Sequence, residues 1–174
     1  MTKHQGHFEG VHGDSLKDVR GYQEKTARYL APLAVGRVLD VGASEGYLGK
    51  CLPFAKSYEA IDINPRDPCV RKGTICAAEG AAYDLIVYCH VLEHVLDPIG
   101  ELTKARKLLD KNGFVFVAVP LAPSFWSYAY EGHLWMFNEE TLPRVASHAG
   151  LTVKDTMKVN FRRDCDELWV LMSH

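Results

Sequence analysis

Asp40 lies at the end of a short apolar run, Val38, Leu39 and Val41, and Gly42, Ala43, Ser44 and Gly46 follow it at once. A carboxylate at the end of a buried strand is costly without a partner, so an acid in this position predicts a ligand that needs one. A strand, a glycine turn and a helix starting at Tyr47 bring backbone close to a bound molecule and aim N–H groups at it. Asp62 stands 62 − 40 = 22 positions further on, the length of one strand–helix–strand step. An acid there can accept both hydroxyls of a ribose. The pair predicts a nucleoside-containing cofactor. The turn reads Gly42-Ala-Ser44-Glu-Gly46, with Ser where a dinucleotide fingerprint has its middle glycine. Asp40 and Glu45 would also set negative charge beside a pyrophosphate, which counts against NAD. An acidic turn suits a cationic ligand better, a sulfonium carrying an amino-acid ammonium group.

A second set of reactive side chains is His90-Val-Leu-Glu93-His94. The spacing H-x-x-E-H also occurs in zinc proteases, but that chemistry needs a helix bearing both histidines, whereas this segment follows a buried strand. A metal held by His90, Glu93 and His94 is an open alternative. The preferred expectation assigns no metal and has Glu93 and His94 brace the floor of the site. A third set is the aromatic-rich loop with Phe125, Trp126, Tyr128, Tyr130, His133, Trp135 and Phe137. Packing claims some of these rings; the others suit a flat or apolar substrate, with cation–π contact to a sulfonium. His133 is the first candidate general base, because imidazole titrates near neutrality. His90 is the second.

The elements that must position these groups follow from periodicity. A helical stripe with Leu16, Val19, Tyr22, Ala27, Leu30 and Leu33 predicts a helix over 15–33, capped by Ser15. Buried strands are expected at Val38–Val41, Tyr58–Ile63, Tyr83–Cys89 and Phe114–Val119, with a weak one over Cys69–Ile75. Tyr47 to Leu52 reads as a helix start. Asp97-Pro98 starts a helix with a capping acid and a proline in the first turn, stopped by Lys111-Asn-Gly113. Asn138 caps a helix to Ala149 that ends at Gly150. Leu151–Val159 and Glu167–Met172 close the chain as strands. Asp84 is expected to shape the start of its strand rather than to touch ligand. Alternating strands and helices imply an open α/β sheet, whose ligands bind at the carboxyl ends of the strands.

The 174 residues suit one domain, with 1–14 a polar Gly- and His-rich tail and 15–174 folded. His4, His7 and His12 could bind metal, but a mobile tail is preferred. A formal net charge of −2 gives no pull towards nucleic acid or anionic membrane. No apolar run approaches the ~20 residues of a membrane span. Five cysteines without a C-x-x-C pair fit a reducing, cytoplasmic location.

Taken together, Val38-Leu-Asp-Val-Gly-Ala-Ser-Glu-Gly46, Ile61-Asp-Ile-Asn64, Tyr83-Asp-Leu-Ile, His90-Val-Leu-Glu-His-Val95 and Gly113-Phe-Val-Phe-Val resemble class I S-adenosylmethionine-dependent methyltransferases. The likeness is to the small-molecule branch with a Leu-Glu-His motif after the fourth strand, and extends through Gly132-His-Leu-Trp-Met-Phe-Asn138, Leu142 and Ala149-Gly150. It implies a Rossmann-like, doubly wound, seven-stranded sheet in the order 3-2-1-4-5-7-6 with strand 7 antiparallel. It also implies S-adenosyl-L-methionine as cofactor. Asp40, Gly42, Ala43, Ser44 and Gly46 would surround the methionyl part, Asp62 would hold the ribose and Ile63 would lie on adenine. The family often has an acid near the end of the third strand for the adenine amino group. Here Thr74, Cys76 or Glu79 would have to substitute, and Cys76 is the one assigned. The implied reaction is methyl transfer to a small molecule, O-methylation first. Nucleic-acid methylation is the rival substrate class, but its Pro-Pro-Tyr type and Lys-Asp-Lys-Glu residue sets are missing. A non-catalytic cofactor-binding module is the rival outside enzymes.

Overall fold

Strand β1 (Arg37–Val41) is the centre of the molecule, with Val38, Leu39, Asp40 and Val41 all buried. In this computed structural model, which describes residues 16–34, 36–78, 80, 82–123, 132–162 and 165–174, β1 pairs in parallel with β2 (Ser57–Asp62) on one side and β4 (Tyr83–Cys89) on the other. The two-residue β3 (Arg71–Lys72) extends the β2 edge. On the other edge β5 (Leu109–Pro120) pairs in parallel with β4, and β7 (Cys165–Ser173) runs antiparallel between β5 and β6 (Thr152–Arg162). The seven strands lie in the order β3-β2-β1-β4-β5-β7-β6, the expected α/β architecture.

Successive residues of a strand face opposite sides, and the sheet uses both. Leu39, Val41, Ile86, Tyr88, Val115 and Val117 pack with Leu102 and Ala105 of α3 (Pro98–Leu108) and Leu142 and Ala146 of α4 (Thr141–His148). Val38, Leu85, Val87, Phe116, Ala118 and Trp169 pack on the other face with Tyr22, Ala27 and Leu30 of α1 (Leu16–Leu30) and Leu48 of α2 (Tyr47–Lys50).

Local chemistry starts and stops these elements largely as expected. Asp97 Oδ1 accepts the Gly100 N–H at 2.8 Å to cap α3. Asn138 Oδ1 accepts from the N–H groups of both Glu140 and Thr141, at 2.9 and 2.8 Å, and so caps α4. Gly150, at φ +76°, ends α4 with Leu151 N–H bonded back to Ala146 O at 2.9 Å.

Several boundaries differ. The first helix ends at Leu30 instead of Leu33, because Pro32 has no N–H to continue the ladder. The helix expected over Tyr47 to Leu52 is a single turn to Lys50, ahead of Pro53. The third strand is two residues, since Thr74 Oγ1 accepts the Cys76 N–H at 3.3 Å and starts a 3-10 turn, Ile75–Ala77. Lys111 to Gly113 lie inside β5, where the register jumps between Tyr83↔Leu109 and Leu85↔Phe114. The tail 1–14, Ser15, Glu79, Phe125, Trp126, Tyr128 and Tyr130 lie outside the described residues.

Candidate active site

The turn after β1 alternates left-handed and ordinary backbone: Gly42 has φ +76°, Ser44 +52° and Gly46 +64°. Gly42 is required, since a Cβ there would overlap Val91 Cγ2 and adopt a backbone that side chains disfavour. The N–H groups of Gly42 and Ala43 donate to Ile61 O at 2.8 and 3.1 Å, and Gly46 N–H donates to Ala43 O at 2.7 Å. Ser44 holds its left-handed conformation through two bonds. Its N–H donates to Asp62 Oδ2 at 2.9 Å, and its carbonyl accepts from Arg66 N–H at 3.0 Å. Asp62 Oδ1 accepts from Asn64 N–H at 2.7 Å. One carboxylate thus ties the turn after β1 to the turn after β2, and each oxygen keeps a second lone pair for a ligand.

Asp40 is 4% exposed, and its Oδ2 accepts from the Tyr58 hydroxyl. Burial pushes its pKa up to about 7; the Tyr58 bond pulls the other way, and the nearby Asp62 charge adds to the rise. Ile63, just past β2, is 71% exposed although apolar. Cys76 is also exposed, and a hydrogen bond with Lys104 draws its thiol pKa down. Asp84, as expected, serves the sheet: its Oδ2 accepts the Arg37 N–H at 2.7 Å.

At the end of β4, His90 turns the chain with φ +54° and its N–H donates to Ala118 O at 2.9 Å. Its ring is a bridge between acids. Nε2 lies 2.9 Å from Oε1 of Glu167, which is fully buried, and Nδ1 lies 3.4 Å from Glu93 Oε1. Burial alone would lower the His90 pKa, but the two carboxylates outweigh it and raise it to about 10. Glu167 Oε2 accepts from Trp169 Nε1 at 2.8 Å, and the Tyr22 ring lies 5.4 Å from His90.

The next turn, Leu92–His94, is a 3-10 helix carrying Glu93 and His94. The backbone carbonyl of Glu93 accepts from the N–H groups of Leu134 and Trp135, at 2.8 and 3.2 Å. Trp135 Nε1 in turn donates to Val95 O at 2.8 Å. These bonds bring His133 against His94, with ring centroids 4.9 Å apart. The structure therefore gathers the sequence candidates into two groups: Asp40, Gly42 to Gly46 and Asp62 around one turn, and His90, Glu93, His94 and His133 beside it. Val91 joins the groups by packing on Gly42.

Nothing local in the sequence gives Tyr58 or Val91 a role at the site. Glu167 alone leaves a sign there, as an acid opening the otherwise apolar run Glu167-Leu-Trp-Val-Leu-Met172.

The family model described as "Methyltransferase domain" matches residues 16–156. No curated protein matches the chain in sequence. Among solved structures, the chain is similar to Burkholderia thailandensis 1,6-didemethyltoxoflavin-N1-methyltransferase, solved with 1,6-didemethyltoxoflavin and S-adenosylhomocysteine, at 20% identity and a TM-score of 0.69. That match covers 86% of this chain and 77% of the other. A SAM-dependent methyltransferase of Archaeoglobus fulgidus matches at 15% identity and a TM-score of 0.70, over 89% of this chain and 94% of the other. The O-methyltransferase NcsB1 of neocarzinostatin biosynthesis, solved with S-adenosylhomocysteine and 1,4-dihydroxy-2-naphthoic acid, matches at 17% identity and a TM-score of 0.64. There the match covers 93% of this chain and 62% of the other.

Proposed function

The chain belongs to the methyltransferase-domain family, and from that premise we propose that it transfers a methyl group from S-adenosylmethionine to a small-molecule acceptor, with oxygen the favoured acceptor atom. The observation that carries the cofactor assignment is the pairing of a buried acid, Asp40, with a second acid, Asp62, on either side of the Gly42–Gly46 turn. A buried carboxyl held half-protonated near neutrality gains from a cationic ligand, which lets it ionise. The ammonium and sulfonium of S-adenosylmethionine supply that charge.

Asp40, Gly42, Ala43, Ser44 and Gly46 would surround the methionyl portion, and Asp62 would accept the ribose hydroxyls through its remaining lone pairs. Ile63 would lie against adenine, which would cover an apolar side chain now 71% exposed. Cys76, next to the short β3 edge, would meet the adenine rim.

The acceptor would sit over His90, Glu93, His94 and His133. In an in-line displacement the acceptor oxygen bonds to the methyl carbon as the carbon–sulfur bond breaks. The electron pair goes to sulfur, leaving S-adenosylhomocysteine, and the acceptor's proton goes to His133. Positioning supplies most of such a rate enhancement. His90 is the weaker proton acceptor, because Glu167 already engages its Nε2. The aromatic and apolar residues Leu134, Trp135 and Met136, all exposed, favour an apolar or aromatic acceptor. The small-molecule methyltransferases among the similar structures agree with that class.

Calorimetry with S-adenosylhomocysteine tests the cofactor assignment. Tight binding by the native chain, lost in Asp62→Ala and not replaced by NADH binding, is expected; equal affinity in the variant overturns it. A metabolite screen with labelled methyl donor then identifies the acceptor.

A further inference from the structure

We propose that Glu93, His94 and His133 form a binding site for a divalent transition-metal cation beside the cofactor turn. Three observations converge on it. The Glu93 side chain is 1% exposed, and neither of its carboxylate oxygens makes a hydrogen bond. Buried carboxylates ordinarily have such partners, because losing water without replacement costs several kcal/mol. The bracing expected of Glu93 is done by its main-chain carbonyl, which any residue could supply. The acid itself is left with two imidazoles near Oε1, His90 Nδ1 at 3.4 Å and His94 Nε2 at 3.9 Å.

The second observation is the orientation of His94. Its Nδ1 lies 2.8 Å from Gly132 O, and a carbonyl can only accept, so Nδ1 carries the proton. In the neutral ring Nε2 then presents its lone pair on the Glu93 side, 3.9 Å from Oε1. A metal-ligating histidine is commonly fixed in this way, with its other nitrogen donating to a carbonyl. The third is the convergence of donors. One ligand atom from each of Glu93, His94 and His133 lies within 4.8 Å of the others. Donors on a common ion at bond lengths of about 2.1 Å are separated by roughly 3 to 4 Å, so small side-chain rotations close the set.

His90 is shared between two acids, and Glu93 has the longer contact, 3.4 Å from Nδ1 to Oε1. His90 makes its short contact, 2.9 Å, with the other buried acid, Glu167. Two imidazoles and one carboxylate suit zinc, cobalt or iron(II) better than magnesium or calcium, which prefer all-oxygen shells. Three protein ligands leave at least one coordination position open. Resting on the methyl-transfer reading above, that position would take an acceptor oxygen and make its hydroxyl more acidic. The acceptor class is then a hydroxyl compound; with His133 held as a ligand, the acceptor's proton would pass to solvent in place of His133.

The test is titration of the full chain with Co2+, followed by its visible absorption, with Zn2+ added as competitor. One equivalent of Co2+ displaced by Zn2+ is expected. It should weaken at least 10-fold in Glu93→Gln and in His94→Ala, and persist when His4, His7 and His12 in the N-terminal segment are all changed to Ala. Unchanged Co2+ affinity in Glu93→Gln and His94→Ala overturns the site, as does binding that vanishes with the three N-terminal histidines. S-adenosylhomocysteine affinity, measured on the same proteins, separates the two readings. Retained cofactor binding without the cobalt site sinks the metal alone; a cobalt site without cofactor binding sinks the methyl-transfer reading alone.

Discussion

The hydroxyl of Tyr58 donates to Oδ2 of Asp40 from the neighbouring strand. The acid that ends the central strand thus meets a neutral donor, while the nearby Asp62 charge raises its pKa further. The fold bears this cost without ligand, and a cation placed between the two acids relieves it. Removing the charge of Asp40 should therefore move stability and binding in opposite directions.

Asp40→Asn is expected to raise the melting temperature at pH 8 and to leave it nearly unchanged at pH 4. The sign follows from linkage. A carboxyl whose folded pKa is about 7, above the ordinary value of 3.8, favours the folded state fully below pH 4. That contribution is lost as pH rises from 4 through 7. About three pH units at ~1.4 kcal/mol each sets a ceiling of roughly 4 kcal/mol. The same substitution should weaken S-adenosylhomocysteine binding at least 10-fold. A lower melting temperature at pH 8 would contradict the assignment.

Cofactor binding should also move protons. Below pH 7 much of Asp40 is protonated, and a cationic ligand would drive that proton off. Calorimetry at pH 6 in buffers of different ionisation enthalpy should register net proton release, and affinity should fall as pH drops from 7.5 to 5.5. Tyr58→Phe removes the bond that lowers the Asp40 pKa, so the midpoint of this profile should shift upwards. The same variant should lose about 1–3 kcal/mol of stability at pH 8, where the buried carboxylate loses its donor.

Gly42→Ala combines two penalties, the φ of +76° and the overlap with Val91 Cγ2. The backbone strain is worth about 1–2 kcal/mol and the overlap about 1–3 kcal/mol. Adding Val91→Ala should relieve the second and leave the first. Chemical denaturation of the single and double variants measures the difference. Full recovery in the double variant would show that Gly42 serves only to make room.

The parts of this site readable in the sequence were the local ones. Asp40 and Asp62 are acids next to apolar runs, and Gly42 and Gly46 are glycines after a strand; each shows its oddity within a few residues. The central strands β1, β4 and β5 read clearly because burial on both faces leaves an unbroken apolar run. In the sequence Tyr58 shows only as the start of a strand, because its bond to Asp40 depends on the pairing of β1 with β2. Lys111-Asn-Gly113 has the sequence form of a helix stop, yet Gly113 sits where the Tyr83 carbonyl comes close, 2.6 Å from where a Cβ would be. His133 was visible as a residue type; its position against His94 depends on main-chain bonds from Leu134 and Trp135 to Glu93.

Glu167 is the clearest case of a partner hidden by distance along the chain, since 77 positions separate it from His90. It is fully buried, and it accepts from Trp169 Nε1 with one oxygen while engaging His90 with the other. Glu167→Ala strands both partners, an indole N–H in the core and a histidine at the floor of the site. Removing one member of a fully buried ion pair costs about 3–5 kcal/mol, and the His90 side chain, 35% exposed, can recover some hydration. A loss of about 2 kcal/mol in denaturant unfolding is therefore expected. Glu167→Gln keeps an acceptor for Trp169 and should lose less. If both variants were as stable as the native chain, the His90–Glu167 contact would carry no weight in the fold.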